Sequence, residues 1–271
     1  MRILIAGQTY FPAFNGQSIF MVNLAEGLAQ QGNEVLAVVP SEQGKAYQEE
    51  HNGVRLERLY SVRLKMWHPD ASFAPFSHMA TRRVFEEFQP EMVHIHDHYP
   101  LSWSAFLEAR RRGIKVVGTN HFMPENLAPY FPKAIRSGEV LEKLLWRWMM
   151  NLYNCLDAVT APSRTAAAIL RHAGLRRPVY PISCGVDLGR FKPDPGIDRQ
   201  AYCRRFGLDA DKTLFFFVGR VDGEKRLDLL ISSLKLLDRN DLQLVVAGKG
   251  AALPDLQKQA AALNLEDQVR F

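Results

Sequence analysis

The chain is poor in cysteine: Cys155, Cys184 and Cys203 are the only three in 271 residues. An odd number at wide spacing excludes a disulfide framework and a thiolate zinc site, and it points to free thiols in a reducing compartment. No apolar run reaches the roughly 20 residues that a membrane-spanning helix needs. Residues 1–7 are too short for a secretory leader and carry no cleavage site, so a cytoplasmic protein is expected. Charge of one sign is scarce as well. Thirty-four Lys and Arg stand against 29 Asp and Glu, a net +5. The excess falls in clusters at Arg82–Arg83, Arg110–Arg112 and Arg176–Arg177. These read as solvated helix ends, with an anionic lipid surface as the alternative and no nucleic acid expected. The dinucleotide fingerprint is missing too: no glycine follows Gly7 at the required spacing.

What is present is ordinary globular composition, 47% hydrophobic and 23% charged, in a chain long enough for two domains with real cores. Arg2–Ala6 reads as a strand. A loop, GQTYFPAFNGQS, follows with Tyr10, Phe11 and Phe14, then a helix closed at Gly32 and a strand from Glu34 to Val39. The alternation continues. Strands are expected at Val54–Tyr60, Glu91–Ile95, Lys115–Thr119, Leu156–Ala161 and Val179–Ser183. Helices are expected at Ser77–Phe88, Leu101–Arg112 and Glu139–Tyr153, with another opening at Ser163. Strand–helix repetition of this kind predicts an α/β fold with doubly wound parallel sheets. The Gly/Asp/Pro-rich stretch around residues 188–197 reads as a linker between a first domain, 1–187, and a second, 198–271.

In the second domain TLFFFV, Thr213–Val218, predicts a strand buried on both faces. Gly219 and Arg220 end it, and a helix is expected from Glu224, with Lys225 in its first turn and Leu227, Leu230, Ile231 and Leu234 on one face. In open parallel sheets ligands sit at the carboxyl ends of strands. Arg220 and Lys225 beside a helix start suit a diphosphate, or else they pair with Asp222 and Glu224; spacing alone does not separate the two. In the first domain HIHDHYP gathers His94, His96, Asp97 and His98. Residues 94 and 96 share a sheet face, an awkward arrangement for tetrahedral zinc. Asp97 and His98, past the strand's end, are better placed to line a site, and His94 reads as core.

The stretch FFFVGRVDGEKRLDLLI resembles the donor-phosphate motif of glycosyltransferase family 4, retaining enzymes of the GT-B fold with two Rossmann-like domains. The likeness extends over nearly the whole chain. It implies that Arg220 and Lys225 contact the diphosphate of a nucleotide-sugar, and that His121, in NHFMPEN, contacts the donor sugar at the catalytic centre. It implies that Gly16 lets the backbone approach the donor phosphates, although Asn15 stands where the family has the first of two glycines. Gly248 and Gly250, in GKG, fall near the nucleotide. Tyr10, Asp97 and His98 fall on the acceptor side. The expected reaction takes place on one sugar face in a closing interdomain cleft, with the leaving phosphate taking the acceptor's proton and no bound metal or other cofactor.

NHFMPEN is similar to members that glycosylate lipids. RLYSVRLKMWHP interleaves Arg58, Arg63 and Lys65 with apolar and aromatic residues; it reads as a surface loop with partly buried aromatics, or else as a stretch that sits at a membrane surface. Together they suggest a lipid acceptor such as diacylglycerol and a peripheral position on an anionic inner membrane face, with a soluble sugar or cell-wall glycan as the other choice. The family's later portion, with two donor-binding glutamates, is not in this sequence. The second domain is therefore expected to be partial, its last strand an open edge, and the chain inactive without a complementing carboxyl-terminal fragment. The alternative is a non-catalytic, membrane- or partner-binding remnant of such an enzyme.

Overall fold

A computed structural model describes residues 1–13, 15–63, 72–124 and 139–271. Two compact units, Met1–Val186 and Asp187–Phe271, divide the chain. The first runs β1 (Arg2–Ala6), α1 (Gly16–Gln30), β2 (Glu34–Pro40), β3 (Tyr47–His51), β4 (Val54–Leu59), β5 (Val62–Arg63) and β6 (Ser72–Phe73). It continues with α2 (Ser77–Phe88), β7 (Met92–Ile95), α3 (Pro100–Arg111), β8 (Lys115–Thr119), α4 (Glu139–Tyr153), β9 (Ala158–Ala161), α5 (Arg164–His172) and β10 (Val179–Pro181).

Its main sheet has the order β10-β9-β8-β7-β1-β2-β4-β3, parallel except where β3 meets β4. Alternate residues of the central strands enter two cores. Ile3, Ile5, Val35 and Ala37 pack with Met21 and Ala25 of α1. Leu4, Ala6, Leu36 and Val38 pack in the same core as Phe85 and Phe88 of α2 and Leu101 and Ala105 of α3. Burial on both faces is why RILIA and EVLAVV carry no polar alternation. The chain places β2 on one side of β1 and later returns to place β7 on the other. At such a reversal a crevice opens outside the carboxyl ends of the strands, here β1 and β7.

The basic, aromatic stretch that begins in β4 does not present all its cations to solvent. Arg58 is buried. Its Nε is 2.8 Å from Glu49 Oε1, its Nη1 is 3.3 Å from Glu42 Oε2, and its Nη2 donates to the Phe11 carbonyl at 2.5 Å. Leu59 is buried beside it, whereas Tyr60 is exposed. Leu64, Lys65, Met66 and Trp67 lie outside the described residues, as do Phe14, Glu125 and Asn126. The Arg58 guanidinium ties the loop after β1 to the β3–β4 edge. Arg58→Ala is expected to lower the stability of the first unit by about 2–3 kcal/mol, because two carboxylates and a carbonyl lose one shared donor. The urea midpoint measures this, and an unchanged midpoint removes Arg58 from the framework.

The second unit contains α6 (Arg199–Arg205), β11 (Thr213–Val218), α7 (Leu227–Leu237), β12 (Leu242–Ala247), α8 (Leu253–Ala262) and β13 (Val269–Arg270). Its parallel sheet has the order β11-β12-β13. Leu227, Ile231, Leu234, Leu244, Val246 and Leu256 form its core. Two expectations are corrected here. β11 is not buried on both faces: Phe215, Phe216 and Val218 are 43%, 57% and 79% exposed. The strand is an edge, hydrogen-bonded to β12 alone among the described residues, and an apolar run by itself cannot reveal how many layers cover it. The helix also starts later than expected. Gly223–Lys225 is a single 3-10 turn, Arg226 takes a left-handed φ of 51°, and α7 begins at Leu227. Lys225 therefore closes a tight turn rather than opening the helix.

Candidate functional site

The crevice at β1 and β7 is built from side chains that interrupt apolar strands. His94 and His96 point to the α1 face of β7, opposite Val93 and Ile95. His94 Nε2 lies 2.7 Å from Thr119 Oγ1 on β8, which lies 2.7 Å from Thr160 Oγ1 on β9. The His94 and His96 rings stack at 4.3 Å. His96 Nδ1 then meets Nε2 of His121, past the end of β8, at 3.0 Å. Phe20 of α1 covers both rings, at 5.7 Å from His96 and 4.9 Å from His121. Burial pushes His94 and His121 down to about 4 and His96 well below its ordinary value, with the neighbouring imidazoles adding to the effect on His94 and His96. All three are neutral at pH 7.

Asp97 is buried and accepts four hydrogen bonds. Gln8 N donates at 2.5 Å and Gln17 Nε2 at 3.2 Å to Oδ2; Tyr99 N at 3.1 Å and Ser102 Oγ at 2.7 Å donate to Oδ1. Burial raises its pKa while these donors pull it back. The carboxylate joins the end of β1, α1 and the start of α3, so it braces the crevice from below. His98 is fully buried among Tyr99, Phe122 and Trp148, with Trp148 edge-on at 4.4 Å. Neither of its ring nitrogens has a hydrogen-bond partner among the described residues. Tyr10 is buried with Met21 in the α1-side core, and its hydroxyl also has no partner among the described residues. Asp97, His98 and Tyr10 thus lie beneath the surface of the crevice rather than on it.

Gly16 is the first residue of α1, whose cap is Asn15; the Asn15 side chain accepts from Ser18 N at 2.9 Å. Among the described residues a Cβ built on Gly16 meets nothing within 4 Å. Open space next to first-turn amides suits an anion.

In the second unit Arg220 follows β11. Its Nη1 lies 2.9 Å from Asp222 Oδ2, and its Nη2 lies 2.7 Å from Glu224 Oε1. The same Oε1 is 3.3 Å from Lys225 Nζ. The structure shows the ion-pair arrangement: one carboxylate oxygen of Glu224 sits between the two cations. The next residue, Arg226, holds its left-handed backbone beside a two-pronged contact to Asp228, with both N–O distances at 3.0 Å. Gly248 and Gly250 press on this loop. A Cβ on Gly248 would lie 1.9 Å from the Gly219 carbonyl oxygen, and one on Gly250 would lie 2.2 Å from that of Val221. The two loops exchange Gly219 N to Ala247 O at 3.1 Å and Val221 N to Lys249 O at 2.9 Å.

Sequence reasoning named His121, Asp97, Arg220 and Lys225, with Asp222 and Glu224 as ion-pair partners of the two cations, but missed His96 as neighbour of His121 and Gln8 and Gln17 on Asp97. The H-x-H period was the one available signal, since it places residues 94 and 96 on the same face of a strand. Among the described residues no three His, Cys, Asp or Glu side chains converge as metal ligands. Nor is any helix among them long and apolar enough to cross a membrane.

Comparison with known proteins adds the following. A sequence model described as Glycosyltransferase Family 4 matches residues 14–190, and one described as Glycosyl transferases group 1 matches residues 198–271. A GDP-mannose-dependent alpha-mannosyltransferase of Mycobacterium tuberculosis is 28% identical over 263 residues, covering 95% of this chain and 65% of that protein. An alpha-monoglucosyldiacylglycerol synthase of Streptococcus pneumoniae is 26% identical over 276 residues, covering all of this chain and 61% of that one. The chain thus spans somewhat less than two thirds of the length of these relatives. Among solved structures, Anabaena HepE in complex with UDP superimposes with a TM-score of 0.72 at 16% identity, over all of this chain and 68% of that one. WaaG, a glycosyltransferase involved in lipopolysaccharide biosynthesis, superimposes with a TM-score of 0.66 at 16% identity, over 99% of this chain and 69% of that one. These likenesses give the fold as GT-B. With the two sequence models lying one on each compact unit, the chain belongs to glycosyltransferase family 4.

Proposed function

We propose that the chain carries the acceptor half and the phosphate-gripping part of a retaining transferase. The reaction moves a sugar from a nucleotide diphosphate sugar to an acceptor hydroxyl. The observation that carries this is the single carboxylate oxygen held jointly by Arg220 and Lys225 at the carboxyl end of β11. A phosphate oxygen of the donor takes the place of Glu224 Oε1. Arg220 and Lys225 are about half exposed, so their ion pairs contribute little and exchange easily. As the bond from the anomeric carbon to the diphosphate breaks, the two cations stabilise the charge that collects on the leaving oxygen. The acceptor oxygen bonds to the same sugar face, and its proton passes to the departing phosphate. Gly16 gives the donor phosphates access to backbone amides, and neutral His121 orients the sugar. The relatives, a GDP-mannose-dependent alpha-mannosyltransferase and an alpha-monoglucosyldiacylglycerol synthase, support a nucleotide-sugar donor and a lipid acceptor such as diacylglycerol. No metal is assigned a step. The relatives' greater length supports the further reading that turnover needs a carboxyl-terminal remainder.

Calorimetric titration with UDP and GDP tests the grip. Arg220→Ala is expected to weaken binding of the preferred nucleotide by about 10- to 100-fold, since it removes charge-assisted hydrogen bonds of about 1.5–3 kcal/mol. Glu224→Gln is expected to tighten it by removing the internal competitor. Equal affinity in wild type and Arg220→Ala rejects the site. Transfer from UDP-glucose or GDP-mannose to diacylglycerol in anionic vesicles, against a soluble sugar acceptor and with a complementing carboxyl-terminal fragment supplied, then identifies the acceptor.

A further inference from the structure

We infer that His96 is a positioning residue that fixes the tautomer of His121, so that His121 offers an Nδ1–H donor, and no Nε2–H, to its ligand. The inference deepens the reading above, in which His121 meets the donor sugar.

A neutral imidazole has one N–H and one bare nitrogen. His96 Nδ1 and His121 Nε2 are 3.0 Å apart, so one of them donates to the other. The other nitrogen of His96 decides which. His96 Nε2 is buried and has no hydrogen-bond partner among the described residues. If His121 donated, the His96 proton would sit on Nε2, and a buried N–H would have nothing to bond. Orphaned buried N–H groups are rare, and a bare lone pair is the lesser loss. His96 Nδ1–H is therefore the donor and His121 Nε2 the acceptor. The remaining proton of His121 sits on Nδ1, the nitrogen turned away from His96. The arrangement is held on both sides, by the His94 ring stacked on His96 at 4.3 Å and by the Phe20 ring over both His96 and His121.

Two chemical consequences follow. His121 cannot serve as a base through Nε2, because that lone pair is spent on His96. It recognises instead an oxygen with a free lone pair, the property of a sugar hydroxyl or a phosphate oxygen. Which ring nitrogen carries the proton is set by the bond that the other one makes, so the donor-sugar contact depends on a residue that need not touch the ligand.

The test reads the tautomer directly, by 15N–1H multiple-bond spectra of histidine-labelled protein at pH 7, with His121→Gln assigning the His121 signals. The expected result is a protonated Nδ1 and an unprotonated Nε2 on His121 in the wild type. His96→Asn places an amide nitrogen near the position of Nδ1 and is expected to keep that pattern. His96→Leu has no donor and is expected to move the proton, wholly or in part, to Nε2. A wild-type His121 protonated on Nε2 overturns the inference, whether or not the variants fold. So does an unchanged His121 pattern in a folded His96→Leu protein. Titration of the wild type with UDP-glucose and GDP-mannose separates this from the functional reading: an Nδ1-protonated His121 whose signals ignore both sugars sinks the sugar contact and leaves the tautomer standing.

Discussion

Replacing Gly248 by alanine is expected to unfold most of the second unit at 37 °C. The added Cβ would lie 1.9 Å from the Gly219 carbonyl oxygen and 3.1 Å from its carbon. Both are backbone atoms, so no side chain can rotate away and the loop after β11 has to move. That motion breaks the bonds from Gly219 N to Ala247 O and from Val221 N to Lys249 O, and strains that from Ala252 N to Val221 O. Overpacking costs about 1–3 kcal/mol and each lost backbone hydrogen bond about 1 kcal/mol. The sum, about 3–5 kcal/mol, reaches the lower end of the whole stability of a unit this small, roughly 0.05–0.15 kcal/mol per residue. Gly250→Ala meets the Val221 carbonyl in the same way and is expected to behave alike. Gly16→Ala is the control. Its Cβ touches nothing among the described residues, and alanine suits a helix better than glycine, so the urea midpoint is expected to hold or rise. Amide hydrogen exchange on β11 and β12 measures the effect. Native protection of Phe216 and Val245 in Gly248→Ala would falsify the packing account.

This result bears on what the sequence could say. Gly-x-Gly after β12 is legible as a βα turn, while a place near the nucleotide is implied by the family resemblance alone. That the glycines are demanded by the neighbouring loop is not legible, because the contact joins residues about thirty positions apart. The βα alternation is readable for a local reason: parallel strands covered on both sides are continuous apolar runs. β3 is invisible for the converse reason, since YQEEH is a mostly exposed edge with no apolar period. TLFFFV misleads because an edge strand can carry the same letters as a central one. The crevice itself depends on strand order, with β7 beside β1, and no local pattern encodes that. His121 could be named from its flanking residues. Its bond to His96 requires β7 and β8 to be neighbours.

Buried imidazoles also make the first unit acid-labile, and His98 shows the effect without a rival explanation. His94, His98 and His121 are all held down to about 4, chiefly by burial, against about 6.5 in an unfolded chain. Between these values the unfolded state binds more protons than the native one. Stability is therefore fully present above about pH 6.5 and is lost as pH falls toward 4. Each shift corresponds to about 3 kcal/mol, and because His94 and His121 both flank His96 their contributions do not simply add. Asp97 opposes the trend, since burial raises its pKa and the native state takes up its proton first. The unfolding free energy of the first unit, read by urea titration, is expected to be flat from pH 8 to 7 and to fall by at least about 3 kcal/mol by pH 4.5. His98 has two nitrogens with no partner among the described residues, in an aromatic box. His98→Phe keeps a flat ring there and discards the polar atoms, so it is expected to gain about 1–3 kcal/mol at pH 7.5. At pH 4.5 the gain is expected to be larger by about 3 kcal/mol, because the unfolded variant has no imidazole to protonate. A variant less stable than wild type at pH 7.5 would mean that those nitrogens bond to something, and the dry-box account of His98 would fail.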